Sequence, residues 1–395
     1  MTATAPHVVP HVVVVGSGLA GYGVLRELRK LAPDARLTLV THDDGHFYSK
    51  PALSTALAKG KVADTLVTTP GEKMAAQLKL DLRCGREAEG IDTGGKVLLT
   101  TGGPVFYDKL VLALGADPVR PPIAGDAAHL AIAVNSLDHY REFREKLPDG
   151  ARVLIMGAGL VGTEFANDLV TNGYKPVVVD MLGHPLAQLI PAEVGDKVRE
   201  TLAGHGVEWH LGRKVVSLDK LPEGGFRGTL DDGTQIAADI ILSAVGLRPN
   251  TDLAREAGLD VGRGIKVDQT GRTSDPSIYA IGDCAEYPHG LAAYVTPIMA
   301  AARAIAPSVL GTPTDIRFPT LSVQVKTTTY PIVLLPKPAQ AEGQWELADD
   351  TESGLKYLFV DNEGVTRGYV LTRDRCQERT ELDRMLIEPL RENVA

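Results

Sequence analysis

Residues 11–21 (HVVVVGSGLAG) constrain the fold more than any other stretch. Four consecutive valines without polar alternation read as a strand buried on both faces, as in a parallel sheet covered by helices. The strand runs into Gly16, Gly18 and Gly21. Gly16 permits the tight turn out of the strand, Gly18 lets the backbone approach a pyrophosphate, and Gly21 lets the next helix pack close. Leu19 and Ala20 open that helix, whose unpaired amides are a ready phosphate site. The glycine spacing alone is a weak signal, because a tight turn that binds nothing uses the same residues.

A second copy makes it strong. Residues 152–156 (RVLIM) form another strand, and Gly157, Gly159 and Gly162, with Leu160 and Val161 between them, repeat the fingerprint. Two cradles imply two dinucleotides. In the first, the strand 37–40 ends at Thr41, and Asp43 is the first acid after it, so Asp43 is the expected ribose acceptor with the Thr41 hydroxyl as its substitute. In the second, the strand 176–179 ends at Asp180 and no arginine follows for several residues. A 2′-phosphate would meet an anion there, which favours NADH over NADPH. The strands 109–114 and 240–245 close the two motifs at Gly115 and Gly246.

Between these landmarks, residues 72–82 read as a helix and 88–91 with 96–100 as a hairpin across Gly94-Gly95. Helices are expected over 137–147, 192–205 and 297–310, the last with Pro297 at its first position. From about residue 318 the texture changes to strands at 321–327, 332–335, 355–360 and 366–371, followed by a helix at 377–388. The expected fold class is α/β: two Rossmann-like dinucleotide-binding domains plus an α+β C-terminal domain with an antiparallel sheet. The expected boundaries are 1–118 and 247–318 for the first domain in two parts, 119–246 for the second, and 319–395 for the third.

Over 395 residues the formal net charge is −9, which argues against nucleic acid or an anionic membrane as the main partner. No signal-peptide pattern and no membrane-spanning apolar run is present, so a cytoplasmic location is expected. Cys84, Cys284 and Cys376 have no pairwise spacing that suggests a disulfide or zinc. His42 and His46 flank Asp43 and Asp44, but Asp44-Gly45 is a turn signal, so no metal is expected.

The chain resembles the two-dinucleotide flavoprotein disulfide reductases over essentially its whole length. Within them, five runs resemble the bacterial rubredoxin reductases: Leu19-Ala20-Gly21-Tyr22, Tyr48-Ser49-Lys50-Pro51, residues 162–169 (GTEFANDL), residues 282–286 (GDCAE) and Val325-Lys326-Thr327. The disulfide reductases carry a redox cysteine pair on the first helix, and residues 19–31 contain none. Ferredoxin reductases of the superfamily usually have arginine at the position of Lys50 and lysine at that of Thr55. The rubredoxin branch is therefore the better fit.

The resemblance implies bound FAD at the first fingerprint, NADH at the second, and rubredoxin, a small iron-sulfur protein, as electron acceptor. It also implies that Asp283 hydrogen-bonds the FAD ribityl or phosphate region, that the Ala88 backbone meets the adenine, and that Arg120 reaches the phosphates. Lys50 would lie near flavin N5 with Glu164 as ion-pair partner and gate. Lys326 would reach the pyrimidine edge, and the helix start near Val295 would aim its dipole at N1 and O2. A monomer is mildly preferred. Ferredoxin or flavorubredoxin remain alternative acceptors. A nicotinamide-gated interaction protein of the apoptosis-inducing-factor type is the alternative from another class. Fast turnover with a small carrier separates the enzyme from it, and no long insertion interrupts the last domain.

Overall fold

The computed structural model describes residues 10–292, 294–319, 322–338 and 340–392. The chain packs as two units, one of residues Met1–Ser49, Val67–Asp117 and Leu247–Pro319, the other of Lys50–Leu66, Pro118–Gly246 and Thr320–Ala395.

The first unit is built on a five-stranded sheet in the order Ile278–Ala280, Lys109–Leu112, Val12–Val15, Leu37–Val40, Asp81–Arg83, with every pair parallel. Val12, Val13 and Val14 are fully buried, as their unbroken apolar run requires. The Leu19–Leu31 helix ends just before Pro33, and its Arg29 guanidinium caps the Gly71–Leu78 helix by donating to the carbonyls of Leu78 at 2.7 Å and Lys79 at 2.9 Å. That second helix occupies the earlier part of the expected 72–82 span, because Lys79 takes a left-handed conformation and ends it. The hairpin of Ala88–Asp92 and Val97–Thr100 forms as expected.

The Val295–Val309 helix starts two residues before the expected position, which makes Pro297 its third residue and places Val295 at its first. Proline is tolerated there because none of the first amides of a helix has an intrahelical acceptor. The helix lies close to Leu19–Leu31, since a Cβ on Gly23 would stand 3.3 Å from the Ala302 Cβ.

The second unit repeats the plan with four parallel strands in the order Glu208–Leu211, Lys175–Asp180, Arg152–Met156, Ile240–Ser243. A three-stranded antiparallel sheet, Val215–Lys220, Phe226–Leu230 and Gln235–Ala238, accompanies it. The unit also contains a five-stranded antiparallel sheet in the order Val323–Val325, Ile332–Leu335, Thr366–Thr372, Gly354–Asp361, Gly343–Thr351, followed by the Arg379–Glu392 helix. Leu321, the first residue of the expected 321–327 strand, lies outside the described residues. The Gly343–Thr351 strand is not legible in sequence. It is an edge arm, mostly exposed, whose side chains GQWELADDT do not alternate, and backbone pairing to Gly354–Asp361 holds it.

Both parallel sheets depend on one steric device. A Cβ on Gly21 would stand 1.9 Å from the Gly16 carbonyl oxygen, and a Cβ on Gly162 would stand 1.9 Å from that of Gly157. Gly21→Ala is therefore expected to destabilise the apoprotein by at least about 2 kcal/mol, because the obstructing atom is backbone and cannot rotate away. Gly18→Ala, where nothing lies within 4 Å, should leave apoprotein melting unchanged while weakening dinucleotide binding. Thermal denaturation of the two apoproteins checks this, and equal melting temperatures would contradict it.

Candidate functional site

The first cradle opens where Gly16, at φ +106°, turns the chain out of the Val12–Val15 strand. Gly18 caps the Leu19–Leu31 helix without a side-chain cap, so the amides of Leu19 and Ala20 start the helix beside the open space that a Cβ at Gly18 would enter. Gly282 packs on the same helix start, since its Cβ would meet that of Ala20 at 2.9 Å, and this brings the Gly282–Cys284 turn with Asp283 to the cradle.

Thr41 and Asp43, the two candidates for the ribose, are hydrogen-bonded to each other and share a third residue. The Thr41 hydroxyl donates to Asp43 Oδ1 at 2.7 Å, the Ser17 hydroxyl lies 2.8 and 2.7 Å from Oδ1 and Oδ2, and the Gly45 amide donates to Oδ1 at 2.9 Å. Oδ1 carries most of these bonds, which leaves acceptor capacity on Oδ2 for a ribose hydroxyl. Ser17 stands inside the fingerprint, a position read in sequence only for its neighbouring glycines. An uncapped helix end, an open approach and an oriented carboxylate fit an adenine dinucleotide.

Elsewhere in this unit, Ala88 pairs with Thr100 at the start of its hairpin, and Gly115, at φ +69°, accepts from the Asn250 amide at 3.1 Å. Val295 is half exposed at its helix start. The Cys284 thiol is fully buried against the carbonyls of Leu112 and Ile281, and burial pushes its pKa up to about 11, so it is a core residue. His46 Nδ1 accepts from the Gly71 amide at 3.1 Å.

The second cradle has the same construction. Gly157 has φ +105°, Gly159 caps the Leu160–Val170 helix without a side-chain cap, and a Cβ on Gly159 would meet nothing within 4 Å. Asp180 Oδ2 accepts from the Ala158 amide at 2.6 Å and Oδ1 from the Leu182 amide at 2.7 Å, which locks the carboxylate at the strand end. Val161, Met181, Leu182 and Val245 are large apolar side chains left exposed, and each follows the carboxyl end of a strand of this sheet or lies in the helix start there. Apolar exposure in that place fits a surface that a ligand covers. Gly246 has φ +106°, and its carbonyl accepts from the Val119 amide, next to the exposed Arg120.

The Leu160–Val170 helix carries a polar seam that sequence reading recognised only in part. Glu164 is 2% exposed. Its Oε1 accepts from the Lys326 amide at 3.0 Å, and its Oε2 accepts from Lys326 Nζ at 3.0 Å and from Ser54 Oγ at 2.5 Å. Lys326 Nζ also donates to the Pro51 carbonyl at 2.7 Å. The expected partner of Glu164 was Lys50; the ammonium found on it is Lys326, 162 residues later, fixed there because its own backbone amide is bound to the same carboxylate. Lys50 Nζ stands 3.4 Å from Asn135 Oδ1. Lys326, expected at a flavin edge, is thus also a structural clasp on the Pro51 turn.

One turn further along the helix, Asn167 Oδ1 accepts from the Thr329 amide and hydroxyl, and its amide group donates to Thr328. Asp168 accepts from the amides of Leu57 and Ala58. Ser54, Asn135, Asn167 and Asp168 were not singled out from sequence. The available signal was the polar set 164, 167, 168, which shares one face of an otherwise apolar helix.

Among the described residues no group of three or more His, Cys, Asp or Glu could hold a metal, and no helix is long and apolar enough to cross a membrane.

Two uncapped glycine cradles on two parallel sheets are the construction of a protein that holds two dinucleotides. The chain belongs to the pyridine nucleotide-disulphide oxidoreductase family, which residues 10–306 match, and residues 315–386 match the rubredoxin binding C-terminal domain. It is 41% identical over 375 residues to a rubredoxin-NAD(+) reductase of Alcanivorax borkumensis, covering 95% of this chain and 98% of that one. It is 35% identical to a nitric oxide reductase FlRd-NAD(+) reductase of Aeromonas hydrophila, covering 95% and 96%. The solved putidaredoxin reductase in covalent complex with putidaredoxin shares the fold at a TM-score of 0.87 and 23% identity, covering 95% and 93%.

The clasp yields a stability prediction. Lys326→Met leaves the buried Glu164 carboxylate without its cation and should cost about 2 kcal/mol, less than for a fully buried pair because the Lys326 side chain is 35% exposed. Adding Glu164→Gln to that variant should recover most of the loss. Urea unfolding of the single and double variants measures both, and equal midpoints for Lys326→Met and wild type would refute the assignment.

Proposed function

We propose that the protein is an NADH-dependent flavoprotein reductase that passes electrons from NADH through FAD to rubredoxin. The observation that carries this reading is the rubredoxin binding C-terminal domain match over 315–386, following a region that matches the pyridine nucleotide reductases. The relatives named for rubredoxin and NAD(+) at 41% identity support it. When bound, the flavin supplies the ability to take two electrons together and release them singly.

FAD belongs to residues 1–118 and 247–318 and NADH to residues 119–246. In the first cradle the amides opening at Gly16, Gly18, Leu19, Ala20 and Gly21 would hold the FAD phosphates. Asp43 and Thr41 would hold the ribose, the Ala88 backbone the adenine, and Gly115, Asp283 and Val295 the remainder. In the second, Gly157, Gly159, Leu160, Val161 and Gly162 would hold the NADH phosphates, with Gly246 across the strand ends. The Asp180 carboxylate accepts ribose hydroxyls and repels a 2′-phosphate.

Lys326 donates to the carbonyl of Pro51, the residue after Lys50, so its ammonium is held against the turn that bears Lys50. Positive charge there would favour electron density arriving on a neighbouring ring, and Glu164 keeps Lys326 oriented when water is excluded. Lys50 is the proposed catalytic residue, and Glu164 acts on its turn through Lys326. A flavorubredoxin-type acceptor is the second reading, favoured by the 35% identity to the Aeromonas protein. The location proposed is the cytoplasm.

Mixing the oxidised protein with NADH in a stopped-flow instrument should bleach a flavin spectrum, with NADPH at least about tenfold less efficient. Cytochrome c reduction should then require added rubredoxin. Bleaching without any rubredoxin dependence would move the assignment to another acceptor.

A further inference from the structure

We propose that Asp168 is a positioning residue: its ionised carboxylate fastens residues 57 and 58, and through them the Lys50–Thr55 turn, to the Leu160–Val170 helix, and so sets where Ser54 meets Glu164 and Lys326. Asp168 is 2% exposed, and each of its oxygens has one donor, the Ala58 amide on Oδ1 at 2.9 Å and the Leu57 amide on Oδ2 at 3.0 Å. The anion accepts at full strength on both oxygens, whereas protonation turns one of them into a hydroxyl, a weaker acceptor with a proton of its own to place. Four residues earlier on the same helix face, Glu164 takes the Ser54 hydroxyl from the same segment. The segment that bears Lys50 is therefore held to one helix at two points, both of them buried carboxylates.

The titratable groups that face Asp168 are Lys59 on the fastened segment and Tyr140 and Arg144 on the Leu137–Glu145 helix, and Glu164 lies one turn earlier on its own helix. Burial raises the Asp168 pKa to about 6, with the Ala58 and Leu57 amides and then Lys59 and Arg144 opposing the rise. The folded value lies above the ordinary carboxyl value, so burial penalises the anion. This group's contribution to global stability accordingly grows as pH falls through about 6 towards the unfolded value, while the local fastening weakens over the same window. A contact that served stability alone would move both in the same direction.

Hydrogen exchange of the holoprotein between about pH 5 and about pH 8, corrected for intrinsic exchange, tests this. Peptides covering residues 50–60 should lose protection roughly tenfold as pH falls through about 6 while the 152–156 strand stays protected. Asp168→Asn should show the faster exchange already at neutral pH, without the step, and with a melting temperature no lower than wild type. In turnover it should lower kcat at neutral pH towards the wild-type acid value and leave the KM for NADH unchanged. A flat wild-type profile over 50–60, or wild-type protection in Asp168→Asn, overturns the proposal. The turnover arm rests on the proposed function, and the exchange arm does not. Loss of carrier reduction in every form would refute the function while exchange still decides the role of Asp168.

Discussion

The contact on which the structure depends is one that a side chain would forbid. In each Rossmann-like motif the helix seats so closely on the preceding turn that a Cβ at its third glycine would lie 1.9 Å from a backbone carbonyl oxygen, of Gly16 in one and Gly157 in the other. That approach starts the helix flush with the strand end. Its first amides then meet open space at Gly18 and Gly159, where no side chain competes for them. Anion binding is thus a consequence of steric permission rather than of added charge, which reconciles two phosphate cradles with a chain of net charge −9.

A second constraint acts through the helix of the second cradle. An ordinary Rossmann-like helix buries apolar residues, yet residues 162–169 are all buried and include Glu164, Asn167 and Asp168. Such groups persist in a core only when partnered. Their partners come from two stretches remote in sequence, residues 54–58 and 326–329, so the helix that opens the proposed NADH cradle also clasps the Lys50 turn and the C-terminal sheet. The two carboxylates are stabilised differently: Glu164 meets an ammonium, whereas the donors on Asp168 are backbone amides, which oppose but do not cancel the rise in pKa that burial causes.

What could be read from sequence follows from the range of each interaction. The fingerprints, the strand-end residues Thr41, Asp43 and Asp180, the hairpin at Gly94-Gly95 and the change of texture near residue 318 are local patterns, and the structure has a cradle, a hydrogen-bonded Thr41–Asp43 pair, a hairpin and a sheet at those places. Sequence points to Lys50 rather than Lys326 on Glu164, because the observed pair spans 162 residues and no periodicity encodes that distance. It places the start of the Val295 helix two residues late, because Pro297 marks a first turn without saying which of its positions it fills. Strand Gly343–Thr351 has no sequence signal, because an exposed edge needs no alternating pattern.

One chain holds two dinucleotides, and the nicotinamide reduces the flavin. Anaerobic titration of the purified yellow protein with NADH, followed by flavin absorbance, tests it most directly. The account predicts one FAD per chain, fully bleached by about one equivalent of NADH. A protein that binds no flavin after reconstitution, or whose bound flavin stays oxidised under excess NADH, would contradict it.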